Sequence, residues 1–304
     1  MPSHGKVWCD KGLSWEFSLL VSTTPKTFLM EKRLVAKVSL PGNGLSNQLF
    51  AIVNSVFHAQ RKGATTIAVG PMRTDYGPSG TPISTGSVID LEHLNAYLTA
   101  AFGITMLDAD EKEYAIAQTT AGWIHAFDPV RFEAILQHLR FRKREGDAAW
   151  SPPDGPCNVV HLRMEQDALQ HWGSINHMHA KDFEAALAAK YIGLVDKYLD
   201  PSVPVLIVTD ADLAANPVAQ HMRRAGYTLW TVQGKAGVQG RELRAVQDCA
   251  AAIASKGDTL IGAFNLGGLN GSTFSYVLWH LGPCKRAVML DPDHLDSPEQ
   301  VTTR

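Results

Sequence analysis

"NVVHLRMEQD" runs from residue 158 to residue 167. Two valines lead into His161, Arg163, Glu165 and Asp167, so the polar groups fall on every second position. Alternate side chains of an extended chain share one face. The spacing therefore predicts a strand that starts apolar and ends with a cation, an imidazole and two acids on one side. Such a strand is not closing a core. In open α/β sheets, ligands gather beyond the carboxyl ends of the strands, and His161 and Arg163 stand at such an end.

The surroundings fit a sheet. "EGDAAWSPPDGP" (145–156) precedes the strand, and its three prolines and two glycines mark a linker. Beyond it, helices are expected near 181–199, 216–225, 241–255 and 270–281, and strands at 203–210, "YTLWTV", 258–264 and 286–291. Ahead of the linker, "LVAKVSL" (34–40) reads as a strand broken by "PGNG". Leu45, Leu49, Ile52, Val53, Val56 and Phe57 then recur at helical spacing, Gly63 suits the helix end, and "ATTIAVG" (64–70) is the next strand. Helices are also expected over 91–102 and 129–144, and residues 71–90 read as a long loop. This alternation predicts an α/β chain with parallel sheets. The linker divides it into two Rossmann-like domains facing a central cleft, residues 1–150 and 151–304.

Three segments carry candidate chemistry. In "PGNGLSNQLF" (41–50), a glycine loop between strand and helix can aim backbone N–H groups at an anion. The dinucleotide fingerprint fails here, because Asn47 replaces its third glycine and the second strand ends on Gly70 rather than on an acid. A plain turn with Ser46 capping the helix fits the same residues. In the opening segment, Arg163 offers a planar fork suited to paired phosphate oxygens. It equally suits a structural ion pair with Glu165 or Asp167. In "NLGGLNGSTFSY" (265–276), Ser272 and Thr273 suit either a helix cap or a phosphate, and Phe274 either a stacked base or the core.

Bulk properties exclude other classes. A net charge of −2 and a pI of about 6.6 argue against a nucleic-acid binder working by bulk charge. Cys9, Cys157, Cys249 and Cys284 have no metal-ligand spacing and read as buried thiols. No apolar run is long enough to span a membrane, and the first residues lack a secretory signal pattern, so a cytoplasmic location is expected.

The segments together resemble the GDP-fucose-dependent fucosyltransferases of the GT-B fold. "HLRMEQDAL" (161–169) is similar to the HxR-centred motif of the protein O-fucosyltransferases. "GLSNQLF" (44–50) is closer to the N-terminal loop of the α1,2-fucosyltransferases, and "VTDAD" (208–212) and "DTLIGAFNLGGLNGSTFS" (258–275) resemble later donor-site segments. The resemblance implies an inverting, metal-independent transfer of fucose from GDP-fucose to a hydroxyl of a protein Ser/Thr or a glycan, with no cofactor beyond the donor. By it, Arg163 contacts the β-phosphate and His161 shapes the pyrophosphate pocket. Ser272, Thr273 and Phe274 hold phosphate and guanosine, and Asp248 reads the guanine edge. Asn47, Asn43 and Gly44 line the cleft from the N-terminal side. Some relatives place a catalytic glutamate in the glycine loop. Pro41-Gly42-Asn43-Gly44 offers no carboxylate, which leaves Asp167 and Glu165 as the nearest candidates. Another nucleotide-sugar donor, or a non-catalytic nucleotide-sugar or glycan binder, would also fit these residues.

Overall fold

The computed structural model describes residues 35–38, 40, 44–75, 80–109, 129–144, 155–232, 238–265 and 271–304. Pro152 and Pro153 of the linker and Asn43 lie outside them. The amino-terminal part begins with β1 (Val35–Val38), α1 (Leu45–Lys62) and β2 (Thr66–Val69). β1 and β2 pair in parallel, as the strand–helix–strand reading requires. Gly63 ends α1 in the left-handed conformation, its N–H returning to the carbonyls of Ala59 and Gln60.

Residues 71–90 are not a continuous loop. β3 (Met72–Arg73) and β4 (Pro82–Ile83) form a small antiparallel pair, followed by the one-turn α2 (Thr85–Val88). Gln48 of α1 holds this pair in place: its Oε1 accepts from Arg73 N–H at 2.7 Å and its Nε2 donates to the Arg73 carbonyl at 3.1 Å. A side-chain clamp of this kind leaves no periodic signal. α3 (Leu91–Phe102) matches its expected range, capped by Asp90, and leads to β5 (Thr105–Asp108), an unexpected third strand parallel to β2. α4 (Pro129–Gln137) stops seven residues short of the expected end, because Phe141 turns to bridge Ile89.

The carboxyl-terminal part is a six-stranded sheet: β6 (Cys157–His161), β7 (Val205–Val208), β8 (Leu229–Trp230), β9 (Lys256–Ala263), β10 (Arg286–Leu290) and β11 (Gln300–Thr303). Its order is β11-β10-β9-β6-β7-β8. Every neighbour pair is parallel except β10–β11. The parallel pairs are as expected, and the antiparallel edge strand β11 is an addition the sequence reading did not include. The connecting helices are α5 (Gln166–Ile175), α6 (Ala180–Tyr198), α7 (Pro217–Arg224), α8 (Arg241–Ala254) and α9 (Thr273–Leu281). The chain runs outward from β6 to β8, then restarts beside β6 with β9. Such a reversal opens a crevice between the two central strands.

Two apolar clusters hold these layers. One fills the face of the six-stranded sheet covered by α5 and α6. The other runs without interruption from β1 and β2 through α1, α4 and α9 to the opposite face of that sheet. Phe50 of α1 sits inside it, edge-on to Phe132 at 5.3 Å and to Tyr276 at 5.9 Å. Among the described residues, Cys157, Cys249 and Cys284 are buried free thiols. No helix there is long and apolar enough to cross a membrane.

Candidate functional site

β6 is shorter than its sequence suggests. It ends at His161; residues 162–164 are irregular, and Asp167 lies in the first turn of α5. The alternation that suggested one strand face therefore fails beyond His161. The polar groups still meet, by a different route. Arg163 Nη1 donates to Glu165 Oε2 at 2.7 Å, and Nη2 donates to Asp167 Oδ2 at 2.8 Å. Both terminal nitrogens of the fork are thus committed to carboxylates. Burial works to raise the Asp167 carboxyl, and the charge and hydrogen bond of Arg163, aided by Arg241, outweigh it and leave it below the usual range. Asp167 is accordingly a weak base.

A direct contact joins the end of β6 to α9. His161 Nδ1 pairs with Ser275 Oγ at 2.6 Å, and the His161 ring meets the edge of Phe274 at 5.2 Å. Tyr191 fixes the strand end by donating to the His161 carbonyl at 2.8 Å. Ser272 caps α9, its Oγ accepting from Ser275 N–H at 3.4 Å. Phe274 packs against the apolar cluster and also lines the crevice. These residues make structural contacts and also border the cavity.

A cleft of about 540 Å³ opens here. Its walls include Gly44 and Asn47 from the start of α1, His161, Arg163 and Asp167 from the β6 end, Asp248 from α8, and Ser272, Thr273 and Phe274 from α9. All the candidate residues within the described chain thus share one cavity. Asn43 lies outside the described residues. Gly44, at φ 103°, caps α1 with no side-chain bond, and Ser46 is buried instead of capping. No protein-family model and no curated protein matches the chain. Among solved structures, POFUT1 in complex with GDP-fucose matches with a TM-score of 0.48 at 10% identity, over 82% of this chain and 95% of that one.

The cleft also holds residues that the sequence reading passed over. Glu242, on the first turn of α8, is 4% exposed. Its Oε2 accepts from the Leu45 N–H at the start of α1, and its Oε1 has no hydrogen-bond partner. Burial raises its carboxyl above the ordinary range, against the Leu45 bond and Arg241 and with the help of Asp75 and Asp210. The helix start that the glycine loop was expected to offer an anion is therefore taken by a carboxylate of the chain. Arg241 lies beside it. Only a partial signal existed: Arg241 shares a helical face with Asp248, already a candidate, and nothing comparable marked Glu242.

Six carboxylates (Glu165, Asp167, Asp210, Glu242, Asp248 and Asp293) and two guanidinium groups line this cleft. An anion is accommodated only where those carboxylates are otherwise engaged. Glu165 and Asp167 close on Arg163. Asp210 faces Arg241 and Arg244 at 3.5 and 3.7 Å. Burial pushes Asp293 upward, as it does Glu242, which favours their neutral forms.

Proposed function

We propose that the chain is an inverting, metal-independent glycosyltransferase that moves fucose from GDP-fucose to a hydroxyl of a protein Ser/Thr or a glycan. In this reading residues 1–150 form the acceptor-side domain and 151–304 the donor-binding domain of a GT-B arrangement. One observation carries it. Segments separated by more than a hundred residues, each chosen for its likeness to a donor-site motif, line the same cleft at the reversal point of the sheet.

The chemistry follows from the residue types. As the acceptor oxygen bonds to C1 of the sugar, the C1–O bond to the β-phosphate breaks and its electron pair stays on GDP. Arg163 and the hydroxyls of Ser272 and Thr273 stabilise that charge, and donors fixed in advance favour the transition state over the ground state. Asp167 and Glu165 orient Arg163. The acceptor proton goes to a carboxylate, and the ionised form of Glu242 is a stronger base than Asp167 because its pKa is raised and one oxygen is unbonded. Asp248 accepts from the guanine edge, and Asn47 faces the acceptor side.

Calorimetric titration with GDP, GDP-fucose, GDP-mannose and UDP, with and without EDTA, tests the reading. The expected result is GDP and GDP-fucose binding unaffected by EDTA. Binding of UDP alone discards the donor. In transfer assays, Arg163→Ala should lower turnover on the order of 10²–10³-fold with the fold intact. Normal turnover by that variant would overturn the mechanism, and bound GDP-fucose that never releases GDP to any acceptor would favour a non-catalytic binder.

A further inference from the structure

The donor-site reading leaves one guanidinium of the cleft without a task. Arg163, the expected phosphate ligand, has both terminal nitrogens closed by carboxylates. Arg241 differs. Among the described residues its side chain makes no hydrogen bond; its nearest acids are Asp167 at 3.6 Å and Asp210 at 3.5 Å, and it is 28% exposed on the cleft. A planar fork held only by loose ion pairs of 3.5 and 3.6 Å on the wall of a cavity is suited to bidentate capture of a phosphate.

Its placement is fixed from two sides. Gly240, at φ +95°, packs so tightly on Thr74 that a Cβ would come within 2.3 Å of the Thr74 carbonyl oxygen. Glu242 N–H donates to that same carbonyl at 3.0 Å. Arg241 lies between these anchored neighbours, so its backbone is preorganised. Along the same helix, Ala245 and Asp248 also line the cleft. Seven residues of α-helix advance about 10 Å, comparable with the reach of a nucleoside diphosphate from base edge to terminal phosphate. The intervening Ala245 presents only a methyl group, which leaves room for a ribose.

We propose that α8 is the nucleotide-measuring helix of this cleft, with Asp248 at the base and Arg241 on the terminal phosphate of a nucleoside diphosphate. This rests on the nucleotide-sugar reading above and adds a second cationic arm to it. The start of α1 is filled by Glu242, so the phosphate meets Arg241 rather than the glycine loop. Asp167, which faces both guanidinium groups, holds Arg241 until the phosphate replaces it.

Calorimetry with GDP, GMP and guanosine on wild-type protein, Arg241→Met and Arg241→Lys tests this. Wild-type protein should prefer GDP to GMP. Arg241→Met should lose roughly 10–100-fold in GDP affinity and leave GMP and guanosine unchanged, so that the GDP preference collapses. Arg241→Lys should restore part of it. Ala245→Leu should weaken all three ligands by filling the ribose space, with the melting temperature reporting an intact fold. An Arg241→Met protein that keeps the wild-type GDP-to-GMP ratio overturns this proposal alone. Wild-type protein that binds none of the three overturns both the proposal and the reading beneath it.

Discussion

His280 shows what burial does to one ionisable side chain. It lies on α9, 6% exposed, with neither ring nitrogen hydrogen-bonded. Glu133 stands 3.7 Å from Nε2, too far for a hydrogen bond. Burial, reinforced by the charge of Arg304, lowers the ring pKa from 6.5 to about 3. The unfolded chain takes up this proton below pH 6.5 and the folded chain does not, so stability is complete above that pH and falls as pH drops toward about 3. Between pH 7.5 and pH 5 this one group should cost about 2 kcal/mol. Urea unfolding of wild type and His280→Leu at those two pH values checks it. The variant should lose about 2 kcal/mol less on acidification, and equal losses would refute the assignment. The same contrast explains what was legible at this scale. Arg163 and His161 announced themselves by type and position, and Asp248 only through the family resemblance. Glu242 and Arg241 did not, because an acid and a base on a helix's first turn look like ordinary surface charge until the fold buries one and aims the other into a cleft.

Elements were legible where a single periodicity governed them. α1, α3, α6 and α9 carry apolar faces that end at glycine or at a break, and they fall close to their expected ranges. Elements were missed where tertiary contacts replaced periodicity. β3 and β4 depend on the Gln48 clamp, β11 pairs only at the sheet edge, and α5 begins inside a segment whose alternation imitates a strand. The start of α8 is such a contact, and two glycines separate local propensity from docking. Gly193 lies exposed within α6, and a Cβ there would meet nothing within 4 Å. Gly193→Ala should stabilise the chain by about 0.5–1 kcal/mol, as alanine does in helix interiors. Gly240→Ala should do the opposite. Its positive φ is strained for any side chain, and the new Cβ would strike the Thr74 carbonyl at 2.3 Å. A loss of about 1–3 kcal/mol is expected, together with weaker nucleotide binding as Arg241 and Glu242 shift. Urea midpoints of the two variants that move in the same direction would contradict this account of the α8 docking.

At the scale of the whole molecule, two sheets share one core. The sequence pointed to a division at the proline-rich linker; among the described residues the three-stranded parallel sheet lies before it and the six-stranded sheet, with its antiparallel edge, after it. Composition could not show that α1, α4 and α9 fuse the apolar faces, because the period of a helix names its buried side and not the partner that buries it. Phe50 is the joint: it is 2% exposed, with Phe132 of α4 on one edge and Tyr276 of α9 on another. A continuous core makes separate melting of the two sheets costly, since either would expose the apolar face of the other. Thermal unfolding should therefore give a single transition, with far-UV circular dichroism and tryptophan fluorescence coinciding. Phe50→Ala removes a large side chain from the shared region and should cost about 3–5 kcal/mol. That loss should lower the one transition as a unit, because both sheets lean on the same ring. Two resolved transitions in wild type, or a variant in which one probe shifts and the other stays, would mean that the sheets hold their cores separately and that the cleft between them is a junction of independent bodies.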